Sequence, residues 1–314
     1  MKFVGVDIGG MSVKAGVVDE NGKILFKKVA KCAPESPEDD IIAGIVELID
    51  SLLLDAHCQK SDIVGVGIGC PGSIYDEKGV VRYSCNINFR NTRLASKVAA
   101  GVGVANVRIS NDANCAALGE TLFGAGNGAK NSVMVTLGTG VGTGIVVDGK
   151  LLTGNRSAGA EGGHIQINIG GAKCGCDKKG HYEAYASATA LMRQTSVACD
   201  KYPQSALAKM AQERGIDGKL PFEAAREGCP VAQRVVKNYL KYVGMGLVPF
   251  ANIFYPEVII IGGGISNEGE AVIKPLQRYV SRNVYGAQYN PKIKVVSATL
   301  KNDAGIVGAA ALCM

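Results

Sequence analysis

The chain has no tryptophan and only three histidines, and aromatic residues make up 6% of its 314 positions. A site built on imidazole is therefore confined to very few places. Long apolar runs are also missing, and a stretch such as Val258 to Ile261 is far too short to span a bilayer. The opening Met1-Lys2-Phe3-Val4-Gly5-Val6-Asp7 brings in a carboxylate almost at once, where a secretory leader needs an uncharged stretch, so no leader is expected. Blocks of one charge are absent as well. The net charge of +6 suits an anionic substrate such as a nucleotide and is poor ground for nucleic-acid binding. Ten cysteines are scattered apart from one close pair, which argues against a disulfide framework and for a reducing, cytoplasmic setting.

Glycine is abundant, at 42 residues, alongside 47% apolar and 20% charged residues. That composition fits a compact chain rich in tight turns or in backbone that approaches a ligand closely. The length allows two domains.

Three strands open the chain: Phe3 to Asp7, Val13 to Val18 and Ile24 to Val29, the last pair joined by the hairpin signal Asn21-Gly22. Ile41, Ile45, Leu48, Ile49 and Leu52 recur at helical spacing within Pro37 to His57. Strands are expected at Ile63 to Gly69 and Val107 to Ser110, then a helix from Ala113 to Phe123. A second strand–glycine turn–strand follows, from Val133 through Gly138 to Val147, and aligns without gaps on the first. Either two related lobes each point a turn into one cleft, or β-hairpins simply look alike. Beyond it, helices from Ser187, around Phe222, from Val231 to Phe250, from Asn267 and from Asp303 alternate with strands at Val258 to Ile261 and Ile293 to Val296. The alternation predicts an α/β architecture.

Two phosphate motifs are set aside. Gly67 to Gly72 matches G-x-G-x-x-G, but half of it lies in a strand and no helix follows. Gly144 to Lys150 resembles a Walker A loop, yet Leu151 replaces the hydroxyl that magnesium needs. Better candidates are Asp7-Ile8-Gly9-Gly10 and Gly138-Thr139-Gly140, whose backbone N–H groups can reach phosphate oxygens, with Ser12 and Thr139 adding hydroxyls. Asp7 can hold magnesium through water. Gly262-Gly263-Gly264, between a strand and a helix, suits contact with a nucleoside.

From Glu161 to Ser187 the chain holds two of its three histidines, His164 and His181, flanking Cys174 and Cys176. Two imidazoles and two thiolates suit closed, tetrahedral, structural zinc. The alternative is a free thiol pair beside ordinary histidines. Asn111-Asp112 ends a strand and begins a helix. Asp112 there is either a helix cap or a general base for phosphoryl transfer.

Together these segments resemble the ROK family of sugar kinases and repressors, and within it the bacterial glucokinases. The motifs that carry the resemblance are the first phosphate hairpin, Cys70-Pro71-Gly72, Asn111-Asp112-Ala113-Asn114, Leu137-Gly138-Thr139-Gly140, Glu161-Gly162-Gly163-His164, Cys174-Gly175-Cys176 and Gly262-Gly263-Gly264. The resemblance implies a two-lobed hexokinase/actin/Hsp70-like (ribonuclease H-like) α/β fold. Residues 1–112 would form the small lobe with a helix at 301–314 packed back on it, and 113–300 the large lobe. It implies ATP with Mg2+, structural Zn2+ on His164, Cys174, Cys176 and His181, and Asp112 as base for the 6-hydroxyl of glucose. Gly72, Asn86, Asn111, Glu161, His164 and Glu183 would line the sugar. Asp7, Gly9, Gly10, Ser12, Lys14, Gly138, Thr139, Gly140, Gly262, Gly263 and Gly264 would hold the nucleotide. A homo-oligomer is implied too. His181 stands where the family pattern has a cysteine, Asp177 and Thr143 where it has glycine, Met11 where it has threonine, and Phe89 near a usual tryptophan. Another hexose (N-acetylmannosamine, N-acetylglucosamine or fructose) is the alternative substrate. A sugar-sensing repressor needs a DNA-binding module, which is not expected ahead of a strand that starts by residue 3.

Overall fold

A computed structural model describes residues 1–84 and 86–314. In chain order its elements are β1 (Lys2–Ile8), β2 (Ser12–Asp19), β3 (Ile24–Lys31), α1 (Glu38–Asp55), β4 (Ile63–Cys70), β5 (Ser73–Tyr75), β6 (Val80–Tyr83), β7 (Arg90–Thr92), α2 (Leu94–Val102), β8 (Val107–Asn111) and α3 (Asp112–Phe123). Then come β9 (Ser132–Leu137), β10 (Val141–Val147), β11 (Lys150–Leu151), α4 (Glu183–Ala186), α5 (Ala188–Lys201), α6 (Ala206–Arg214), α7 (Leu220–Arg226) and α8 (Pro230–Phe254). The last are β12 (Val258–Gly262), α9 (Glu270–Asn283), β13 (Lys294–Ser297) and α10 (Ala304–Ala311). Among the described residues no helix is long and apolar enough to cross a membrane.

The chain folds as two compact units, one comprising Met1–Lys130, Gly144–Ala160 and Thr299–Met314, the other Asn131–Thr143 and Glu161–Ala298. In the first, the sheet order is β3-β2-β1-β4-β8. Strand β1 pairs antiparallel with β2 and parallel with β4, and β8 continues parallel from β4. Both faces of this sheet are covered, which is why β4 reads as a continuous apolar run rather than an alternating one. Val4, Val6 and Ile8 pack in one cluster with Ile41, Ile45, Ile49 and Leu52 of α1. On the opposite face Phe3 and Val18 pack with Ile306 and Ala310 of α10.

Helix α10 comes unusually close because glycines face it. A Cβ on Gly5 would lie 1.9 Å from the Ile306 carbonyl oxygen, and one on Gly67 would lie 1.7 Å from that of Ala309. No side chain fits in such a gap, so the glycines of β1 and β4 are packing residues. Gly67 is thus occupied in the sheet, and Gly72 leads into β5 rather than a helix, as the rejected dinucleotide motif required.

The second sheet runs β11-β10-β9-β12-β13. Strand β12 pairs parallel with β9 and with β13, and β10 pairs antiparallel with β11. The two sheets share one strand order, so the hairpin echo read from the sequence extends to whole sheets. The three-stranded sheet β5-β6-β7 and the helices α2 and α6 were not anticipated; strands of three or four residues are too short to show a period. Helix α9 starts at Glu270 instead of Asn267 because a 3-10 turn over Gly264–Glu268 precedes it.

Candidate functional site

In the first unit, β8 delivers Asn111 and Asp112 to the start of α3. Asn111 is the cap: its Oδ1 accepts from the backbone N–H groups of Ala113 at 2.9 Å and Asn114 at 3.4 Å. Asp112 is the first helical residue, and its Oδ1 lies 2.9 Å from the Ala113 nitrogen. The capping role that competes with catalysis therefore falls mainly to the neighbour. Burial, reinforced by the negative Asp112 carboxylate, pushes the thiols of Cys70 and Cys115 well above the ordinary cysteine range. Asn111 Nδ2 also donates to the Gly72 carbonyl at 3.3 Å. Gly72 has φ +117°, and a Cβ there would meet the Tyr83 carbonyl oxygen at 2.2 Å, so this turn requires glycine.

The first glycine turn lies between β1 and β2 in the same unit. Gly9 N–H donates to the Ser12 carbonyl at 2.9 Å, and Gly10 approaches Asn86. Asp7 accepts an ion pair from Lys14 Nζ at 3.1 Å, both side chains being partly exposed. Lys14 thus stands at the carboxylate expected to hold magnesium. Met11, in place of the family's threonine, is almost fully exposed at the tip.

In the second unit, strand pairing brings two glycine segments side by side, Gly262 lying opposite Thr136. Gly263 has φ +78° and packs on the backbone of Leu137, whereas Gly138 and Gly264 have open space where a side chain would be. The turn after β9 closes with Gly138 N–H donating to the Gly140 carbonyl at 3.1 Å. Segment 183–189 holds this turn from one side. Ala188 N–H donates to the Gly138 carbonyl at 2.8 Å, Thr189 Oγ1 to the Thr139 carbonyl at 2.8 Å, and Glu183 Oε2 accepts from Val141 N–H at 3.1 Å.

The four candidate metal ligands meet in this unit. Ligand atoms of His164, Cys174, Cys176 and His181 all lie within 4.8 Å of one another. Cys176 Sγ is 3.1 Å from His181 Nδ1, and Cys174 Sγ is 3.7 Å from His164 Nδ1. With metal–sulfur bonds of about 2.3 Å and metal–nitrogen bonds of about 2.0 Å, tetrahedral ligands stand roughly 3.5 Å apart, so the set fits zinc. Burial and the adjacent Glu183 carboxylate push the Cys174 thiol up to about 11. Glu161, by contrast, is exposed; its carbonyl accepts from His164 N–H at 3.0 Å.

A model described as ROK family matches residues 3–314. The chain belongs to the ROK family. It is 40% identical over 313 residues to a glucokinase of Streptomyces coelicolor, across 98% of this chain and 96% of that protein. To a Thermotoga maritima glucokinase it is 38% identical over 314 residues, across 99% of this chain and 97% of the other. Its fold matches, with TM-score 0.81 and 37% identity over 99% of both chains, the crystal structure of a ROK family glucokinase from Streptomyces griseus in complex with glucose and AMPPNP. The hexokinase-like α/β fold expected from the resemblance is the fold observed.

Tyr185, and a role for Thr143, add to the residues expected at this ROK site. Tyr185 anchors the Cys/His loop: its hydroxyl accepts from Ala172 N–H at 2.6 Å and from Asn168 Nδ2 at 3.0 Å. Thr143, where the family pattern has glycine, accepts from Gly162 N–H at 2.8 Å through its hydroxyl and ties β10 to the Glu161–His164 turn. A tyrosine beside buried alanines, as in Ala184-Tyr185-Ala186, was a usable signal, because a buried phenol seeks a hydrogen-bond partner.

Proposed function

We propose that the chain is an ATP-dependent glucokinase, transferring the γ-phosphoryl group to the 6-hydroxyl of glucose to give glucose 6-phosphate and ADP. The observation that carries this reading is the likeness, over 99% of both chains, to the glucokinase with glucose and AMPPNP. The position of Asp112 supports it, since it is the first residue of α3, directly after the end of β8 and beside the capping Asn111.

In this reading Asp112 accepts the proton of the 6-hydroxyl as that oxygen bonds to the γ-phosphorus and the bond to the bridging oxygen breaks. The hydroxyls of the sugar are assigned to Asn111, Gly72, Asn86, Glu161, His164 and Glu183. Phosphate oxygens take hydrogen bonds from the turns at Gly9, Gly10 and Ser12 and at Gly138, Thr139 and Gly140, with Gly262, Gly263 and Gly264 beside the nucleoside. Asp7, paired with Lys14, would hold magnesium through water. His164, Cys174, Cys176 and His181 would hold zinc, and that cross-link would order the loop carrying His164 and Glu183. A cytoplasmic setting goes with this substrate pair.

A coupled ATP-consumption assay over glucose, mannose, fructose, N-acetylglucosamine and N-acetylmannosamine tests the reading. Glucose should show the highest kcat/KM. An N-acetylated sugar ranking first would overturn the substrate, and no turnover with any hexose would overturn the kinase.

A further inference from the structure

Glu183 is assigned above to the sugar, yet in the structure it also reaches the second glycine turn. Its Oε2 accepts from Val141 N–H at 3.1 Å, and its Oε1 lies 3.3 Å from Cys174 Sγ. The approach depends on a missing side chain: a Cβ on Gly140 would stand 2.5 Å from Oε2, well inside contact distance. Gly140 therefore does more than leave room for phosphate; it lets the carboxylate lie against the turn.

We infer that Glu183 is a positioning residue that couples the sugar site to the nucleotide turn through Val141 N–H. The inference rests on the glucokinase reading. A carboxylate oxygen has two lone pairs, so Oε1 can accept from a sugar hydroxyl as well while Oε2 stays on Val141. A hydroxyl that fixes one oxygen of the carboxylate fixes the other, and with it the backbone at 141, next to the N–H groups that meet phosphate. A turn ordered beforehand costs the nucleotide less to organise, and linkage makes the effect reciprocal.

Calorimetric titration of the zinc-loaded full chain with AMPPNP and Mg2+, with and without saturating glucose, gives the coupling factor as the ratio of the two dissociation constants. In the unaltered protein glucose should tighten AMPPNP binding at least about fivefold, the lower end of usual coupling. In Gly140→Ala the added methyl displaces the carboxylate, and the factor should fall to about 1. Glu183→Asp, one methylene too short to span, should do the same with the turn's glycines intact. Simple damage to the turn would weaken AMPPNP equally with and without glucose, leaving the factor unchanged. Glucose binding that persists with an unaltered factor in both variants overturns the inference and leaves the kinase standing. Absence of glucose binding to the unaltered protein overturns both.

Discussion

Gly308 and Cys115 touch through backbone alone: a Cβ on Gly308 would stand 1.6 Å from the Cys115 carbonyl oxygen. The contact presses α10 onto α3, the helix whose first residue is Asp112, and Gly119 on α3 meets Ala304 and Gly308 in the same way. Gly308→Ala forces the helices apart and should cost about 3 kcal/mol or more, the upper range for overpacking. The check is the urea midpoint of the variant, and a midpoint equal to that of the unaltered protein would show that the helices part freely.

Glu120 is fully buried on α3, and its carboxylate accepts from Ala125 N–H at 2.9 Å, Thr299 N–H at 3.0 Å and Leu300 N–H at 2.6 Å. Glu120→Ala removes the acceptor that these part-buried donors share and should cost about 1–3 kcal/mol. Glu120→Gln keeps one acceptor oxygen and should lose less. Equal chemical denaturation curves for the two variants would contradict this account.

Asp112→Asn keeps the size and removes the base. It should lower kcat by roughly 10²–10⁴-fold while glucose affinity stays within a few-fold. Steady-state kinetics with a parallel binding measurement decide it. Near-normal turnover would take Asp112 out of the chemistry.

Thiol labelling separates the cysteines. Cys70 and Cys115 are buried with thiols pushed up, so iodoacetamide at pH 8 should spare both in the folded protein and label them once denaturant exposes them. Cys176 is exposed, and it should be protected in zinc-loaded protein and label once a chelator removes the metal. Metal analysis should find about one zinc per chain before chelation. Mass spectrometry showing Cys176 modified equally with and without chelator would refute the ligand set.

Much of this molecule was readable from residue patterns. β1, β2 and β3 are apolar runs punctuated by glycine and Asn-Gly turns, and their ends fall within about two residues of expectation. The ligand set stood out because histidine is so scarce. Less legible were features that depend on distant parts meeting. Nothing in Ala117-Leu118-Gly119-Glu120-Thr121 announces a carboxylate that binds a segment 180 positions away. The bond from Val141 to Glu183 crosses 42 positions, and neither residue's neighbours foretell it. Identity at one position carries packing only when its counterpart is known, and that counterpart is supplied by topology.

The unit that carries Asp112 is assembled from three separate stretches, and α10 is the last of them to leave the ribosome. Until it emerges, the glycine-lined face of β1 and β4 stays bare while the whole of the second unit is translated. A growing chain thus keeps its proposed base in an unfinished module, and the ability to consume ATP should arise only once α10 has emerged.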